Sequence, residues 1–170
     1  VVLIPLALQT IVLVRTLSDQ HGMFYALVCV FSAWIPDAGA FFAGKLFGKH
    51  KLCPEISPKK TVEGAIGGLL GGVIGMTVFK LVADSMAHTL TVYPPIEMAA
   101  GPQISWGAVF ALGIIGSTIS QIGDLSFSVI KREFGVKDYG NLLPGHGGIL
   151  DRFDSVTFVA PFVWLALQLL

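Results

Sequence analysis

Residues 124 to 154 carry the side-chain types that chemistry on a phosphate requires. The window holds five of the chain's eleven Asp and Glu, four of its eleven Lys and Arg, and His146. Apolar runs flank it on both sides. Charge is expensive near a bilayer, so a mixed-sign cluster between hydrophobic segments marks a functional site. Acids that hold a cation, bases that hold phosphate and a Gly-rich loop between them point to metal-assisted phosphate chemistry.

Ser117, Gln121, Asp124, Ser128 and Lys131 are spaced four, three, four and three apart, which is one face of an α-helix. Asp124 within such a helix needs a cation, a base or water; an Asp–Lys pair that supports bundle packing is the plainer reading. Asp151 and Asp154 are three apart and share a helix side, although acids near a helix N-terminus also answer its dipole. With Asp124 they make three carboxylates, the oxygen donors that Mg²⁺ takes together with substrate phosphates and water. Between them, Pro144-Gly145-His146-Gly147-Gly148 lets backbone amides approach an anion. His146 can donate to phosphate or move a proton, or be merely solvated. Lys131, Arg132 and Lys137 suit phosphate binding, with a lipid-headgroup belt as the alternative.

A second cluster lies upstream. Asp37 is an acid inside an apolar run, preceded by the helix breaker Pro36. Ser57-Pro58-Lys59-Lys60-Thr61-Val62-Glu63 brings hydroxyls, two cations and an acid to a helix start. Capping, with Thr61 near the N-cap, explains part of it. The paired lysines suit a nucleotide triphosphate better.

The elements that position these residues belong in a membrane. The chain is 54% hydrophobic and only 13% charged, against about 25% charged in soluble domains, and its mean hydropathy is +0.75. Apolar segments at 1–14, 22–44, 64–83, 105–130 and 155–170 predict an all-α, polytopic transmembrane helix bundle of about five membrane segments. One membrane-embedded domain over 1–170 suffices. The strand alternation of a barrel is absent. Gly64, Gly68, Gly72 and Gly67, Gly71, Gly75 form two interleaved small-xxx-small series, expected to let helices pack closely rather than to bind phosphate. Lysines at 45, 49, 51, 59 and 60 and the bases at 131, 132, 137 and 152 put both basic loops in the cytoplasm. Loop 84–104 lies on the far side, where Arg15 is the exception. A formal net charge of zero carries no signal for nucleic acid, and none is expected as a partner. Cys29 and Cys53 lack metal-ligand spacing and are expected to stay unpaired. No basic stretch precedes the first apolar run, which argues against a signal peptide and for a chain lacking its N-terminal part.

Ser128-x-x-Lys131-Arg132, Lys137-Asp138 and Pro144-Gly145-His146-Gly147-Gly148-x-x-Asp151-Arg152-x-Asp154 together resemble the signature of the CDP-diacylglycerol synthase (phosphatidate cytidylyltransferase) family. Asp37-x-x-Ala40-Phe41-x-x-Gly44-Lys45 and Ser57-Pro58-Lys59-Lys60-Thr61-x-Glu63-Gly64 are similar to further family motifs. Family members carry additional transmembrane helices before this region, so the chain looks like the C-terminal catalytic part. The resemblance implies conversion of phosphatidate and CTP into CDP-diacylglycerol and pyrophosphate. It implies a cytoplasm-facing site in a bacterial-type cell membrane, a homodimer, and Mg²⁺, with a monovalent cation such as K⁺ beside it. Metal binding carries over to Asp124 and Asp151. The catalytic set is then Asp124, Asp151, Asp154, Lys131, Arg132 and His146; Asp37, Ser57, Lys59, Lys60, Thr61, Glu63, Ser128, Lys137 and Arg152 bind substrate. The rivals are a CTP-dependent kinase of isoprenoid alcohols and a transporter or channel whose polar stripe lines an ion path.

Overall fold

The computed structural model of the chain describes residues 3–18, 22–89, 104–136, 138–140, 148 and 150–169. Five helices account for most of them: α1 (Leu3–Thr16), α2 (Gly22–Phe47), α3 (Val62–Thr89), α4 (Trp106–Glu133) and α5 (Leu150–Leu169). Each coincides with one of the five apolar segments. Three of them, α2, α3 and α4, are long and apolar enough to cross a membrane, whereas α1 is short. The chain is an all-α, polytopic integral membrane protein. Leu70, Ile74, Val78 and Leu81 of α3 and Phe41, Phe42 and Leu46 of α2 stand exposed on the outside of the bundle. In lipid such side chains carry no hydrophobic penalty.

α2 packs against all four other helices. It runs unbroken through Pro36, where a helix breaker predicts an interruption. Proline removes one N–H from the helix ladder, but neighbouring helices can serve the freed backbone in a membrane bundle. Pro36 is buried here, and Ser120 of α4 reaches the carbonyl of Ala33, the neighbour of the Ser32 carbonyl that lacks the Pro36 N–H, at 3.1 Å. The apolar core draws on all five helices; Val14, Val28, Cys29, Val156, Val159 and Val163, from α1, α2 and α5, are fully buried in it.

The glycines of α3 pack, as their spacing predicts. A Cβ added at Gly64 would stand 2.9 Å from the carbonyl oxygen of Ala40, and one at Gly71 3.2 Å from the Cα of Gly39. One added at Gly67 would overlap the Cβ of Ala43. Gly68 and Gly72 also serve the α4 side, against Gln121 and Ser117. α3 is thus wedged between α2 and α4 with backbone nearly touching backbone.

The 48–61 loop contains a hairpin that hydropathy does not reveal. β1 (Lys51–Cys53) pairs antiparallel with β2 (Ser57–Thr61), with a register irregularity between Lys51 and Cys53. Two short strands are marginal alone. This hairpin is held by Arg132, whose Nε donates to Ile56 O at 3.2 Å, and by Glu63, which accepts from the backbone N–H groups of Lys49 and His50 at 3.1 and 3.2 Å. The Arg132 contact sets the first basic loop beside the start of the second. At the opposite end, Lys80 pairs with Asp84 at 3.0 Å and stands 5.3 Å from the centre of the Trp106 ring.

Candidate active site

α2, the hairpin, the start of α3 and the second half of α4 enclose a cavity of about 410 Å³. Its floor is made of small residues, Ala40, Gly44, Gly64 and Ala65, which leave the space open. Lys45, Lys59 and Lys60 supply positive charge; Asp37 and Asp124 supply negative charge. The strand conformation of β2 delivers Lys60 to α4, where its Nζ lies 2.6 Å from Asp124 Oδ2. Ser57, Thr61 and Ser128 also line the space.

The α4 stripe faces inward along its length. The Ser117 hydroxyl is buried, Gln121 Nε2 donates to Ala65 O at 3.1 Å, and Ser128 Oγ donates to the carbonyl of Asp124 at 2.8 Å. Thr61 caps α3: its Oγ1 accepts from the N–H of Gly64 at 3.1 Å. Glu63 meets His50 Nδ1 at 2.6 Å in addition to its two backbone donors. Both side chains thereby fasten the hairpin to α3.

Lys131, Asp151 and Asp154 do not line this cavity; among the described residues they form a second cluster. Lys131 Nζ lies 3.0 Å from Asp151 Oδ1. The other oxygen of Asp151 accepts from the backbone N–H groups of Tyr139 and Gly148 at 2.8 and 2.9 Å. One carboxylate in the first turn of α5 therefore gathers α4 and two points of the connecting loop. The Lys131 ammonium is 5.4 Å from the centre of the Tyr139 ring, and the Tyr139 hydroxyl donates to Phe127 O at 3.3 Å. Burial pushes the Tyr139 phenol above its ordinary pKa, with Lys131 opposing. Asp154 is buried and accepts from the N–H of Ser155 at 2.8 Å. The carbonyl of Arg152 accepts from Trp34 Nε1 at 3.2 Å. Lys137 and His146 lie outside the described residues.

Among the described residues, no three or more His, Cys, Asp or Glu side chains are grouped so as to hold a metal ion. Asp124 and Asp151 each present an oxygen to an ammonium group instead. Both cysteines are free. Nothing in the sequence singles out Ser120, Ser155 or Tyr139, since serine in a membrane helix is an ordinary packing residue.

Lys131→Met tests the second cluster. It leaves the Asp151 side chain, 9% exposed, with backbone donors alone. Removing one partner of a buried ion pair costs about 3 kcal/mol. The melting temperature of the protein in detergent should fall by several degrees; an unchanged value would show that the pair does not hold the loop.

The sequence profile described as the Cytidylyltransferase family matches residues 1–170. The chain belongs to this family. It is 42% identical to the phosphatidate cytidylyltransferase of Bacillus subtilis (strain 168) over 151 residues, which are 89% of this chain and 50% of that protein. It is 43% identical over 146 residues to the phosphatidate cytidylyltransferases of Staphylococcus saprophyticus and Staphylococcus aureus (strain COL), in each case 86% of this chain and 50% of the relative. The chain thus spans about half the length of the curated relatives it matches. Family membership agrees with the resemblance carried by the motifs.

Proposed function

We propose that this chain carries the catalytic part of a phosphatidate cytidylyltransferase. An oxygen of the phosphatidate phosphate attacks the α-phosphorus of CTP in line, the bond to the β-phosphate oxygen breaks, and CDP-diacylglycerol and pyrophosphate leave. The observation that carries the reading is the cavity, lined by Lys59 and by Lys60 paired with Asp124, at the charged end of an apolar bundle. A soluble polyanion and a lipid phosphate can meet there at one depth. The name shared by the relatives supplies the reaction class.

Lys45, Lys59 and Lys60 line the cavity and bind the triphosphate as point charges. Lys131 and Arg132, at the end of α4, and Arg152, in the first turn of α5, bind the phosphatidate headgroup. His146 and Lys137 complete the phosphate-binding loop. No strong general base is needed, because a phosphate monoester is largely ionised at neutral pH. Asp124 and Asp151 fit a divalent cation: both are hard oxygen donors, and each already faces a positive charge. Bound Mg²⁺, with or without K⁺ beside it, would offset the negative charge that builds on the phosphates. Mg²⁺ commonly takes only one or two protein carboxylates alongside substrate phosphates, so a larger acidic cluster is not required. The hairpin end faces the cytoplasm of a bacterial-type cell membrane by its lysines, and the working unit is a homodimer.

The test uses the full-length protein in detergent with phosphatidate, Mg²⁺ and CTP labelled in its base. Label should enter the lipid phase with release of pyrophosphate, and a chelator should stop it. No base label in lipid, but transfer of label from CTP labelled at its γ-phosphate in a parallel reaction, with CDP as product, would replace the reading by a lipid kinase. Solute flux without consumption of CTP would replace it by a transporter.

A further inference from the structure

Asp37 lines the cavity and is expected from the motifs to bind substrate, but no step of the proposed reaction uses it, and it is an acid in the middle of a membrane helix. Both of its oxygens are engaged by serines from two other helices. Ser155 Oγ of α5 donates to Oδ2 at 2.7 Å; Ser120 Oγ of α4 stands 3.1 Å from Oδ1, its single hydrogen shared with Ala33 O. Ser120 and Ser155 are themselves buried. The two serines have particular places. Ser120 is four residues before Asp124 on α4, and Ser155 is four residues after Asp151 on α5. Residues four apart on a helix are stacked neighbours on one face. One carboxylate therefore grips α4 and α5 one turn away from each of the two acids on which the proposed reaction depends.

We propose that Asp37 is a positioning residue that fixes the separation and rotation of α4 and α5, and with them the placement of Asp124 and Asp151. The inference rests on the proposed cytidylyl transfer. A carboxylate suits the task because its two oxygens accept from two directions at once. A hydroxyl or an apolar side chain offers no such fork. Three helices are pinned at one point, and the neighbouring Pro36 is buried beside it. An error of about 1 Å in a reacting constellation lowers turnover by about a hundredfold.

The experiment compares full-length variants. Ser120→Ala with Ser155→Ala leaves the Asp37 carboxylate in place and removes only its partners. This double variant should lose about tenfold to a hundredfold in kcat, with the KM for CTP within about twofold. Asp37→Asn, which keeps an oxygen acceptor and gains a donor toward Ser155, should retain more activity than Asp37→Ala. Adding both serine changes to Asp37→Ala should cost nothing further, since groups acting as one unit are not additive. Wild-type kcat in the double serine variant would overturn the proposal, as would a raised KM with unchanged kcat, which would make Asp37 a substrate contact. A second readout does not need turnover. Spin labels on the exposed positions Ile122 of α4 and Leu165 of α5 report the helix–helix distance. The distance distribution should broaden in the double serine variant; an unchanged distribution overturns the positioning role even if the wild-type protein transfers no label at all.

Discussion

Asp124→Asn in the full-length protein should reduce the proposed cytidylyl transfer by at least about a thousandfold, while the protein stays folded. The two halves of this expectation come from the same contact. Asp124 meets Lys60 at 2.6 Å, but the two side chains are 30% and 24% exposed. A pair this accessible contributes at most about 1 kcal/mol to stability. Asparagine keeps the size and one acceptor, so the melting temperature in detergent should barely move. Activity is a different matter, because the carboxylate charge is what would hold a cation against developing phosphate charge. Turnover and melting temperature, measured on the same preparation, separate the chemical role from a packing role. Turnover within tenfold of wild type would remove Asp124 from the reaction.

The second large effect is structural. Gly67→Val should abolish assembly of the bundle, seen as loss of the monodisperse peak on size exclusion in detergent. Even one added Cβ at Gly67 would overlap the Cβ of Ala43, and the carbonyl oxygen of Gly39 is 3.3 Å away. Backbone cannot rotate aside as a long side chain can. Overpacking typically costs about 1–3 kcal/mol, and here the strain falls along the whole α2–α3 contact. Gly107→Ala is the matched control. Its added Cβ would meet only Ser105 Oγ, at 3.9 Å, in the first turn of α4. Alanine favours helix over glycine by up to about 1 kcal/mol, so the control should be neutral or slightly stabilising. Equal behaviour of the two variants would refute the seam as the cause.

Much of this architecture is legible in the sequence because the membrane simplifies the problem. Apolar runs of the right length must be helices, and the five runs coincide with the five helices. The α4 stripe is legible because its polar residues repeat at helical spacing in an apolar background. Harder to read is anything held by contacts distant in sequence. The Lys51–Thr61 pairing joins strands of three and five residues that carry three lysines and one proline and no apolar alternation. Glu63 reads as a substrate residue from its neighbours in sequence; its His50 contact becomes visible only once the hairpin folds back. Ser120 and Asp37 are 83 residues apart, and no local pattern links them. The start of α5 also meets tertiary contacts: Asp151 takes the Tyr139 N–H and the Lys131 ammonium, and the helix begins before the apolar run does.

The glycine seam also governs traffic. Where two helices touch backbone to backbone, at Gly39 with Gly71 and at Gly44 with Gly64, there is no slit wide enough for an acyl chain. The α3–α4 junction is shut in the same way, with Val73 beneath Gly113. At these points both flanks of α3 are closed to a lipid diffusing in the bilayer plane. Phe41 and Lys45 of α2, both exposed and one turn apart, line the cavity as an aromatic ring next to a cation. A molecule with a greasy tail and an anionic head would arrive there already oriented, head toward the lysines and tail toward the hydrocarbon.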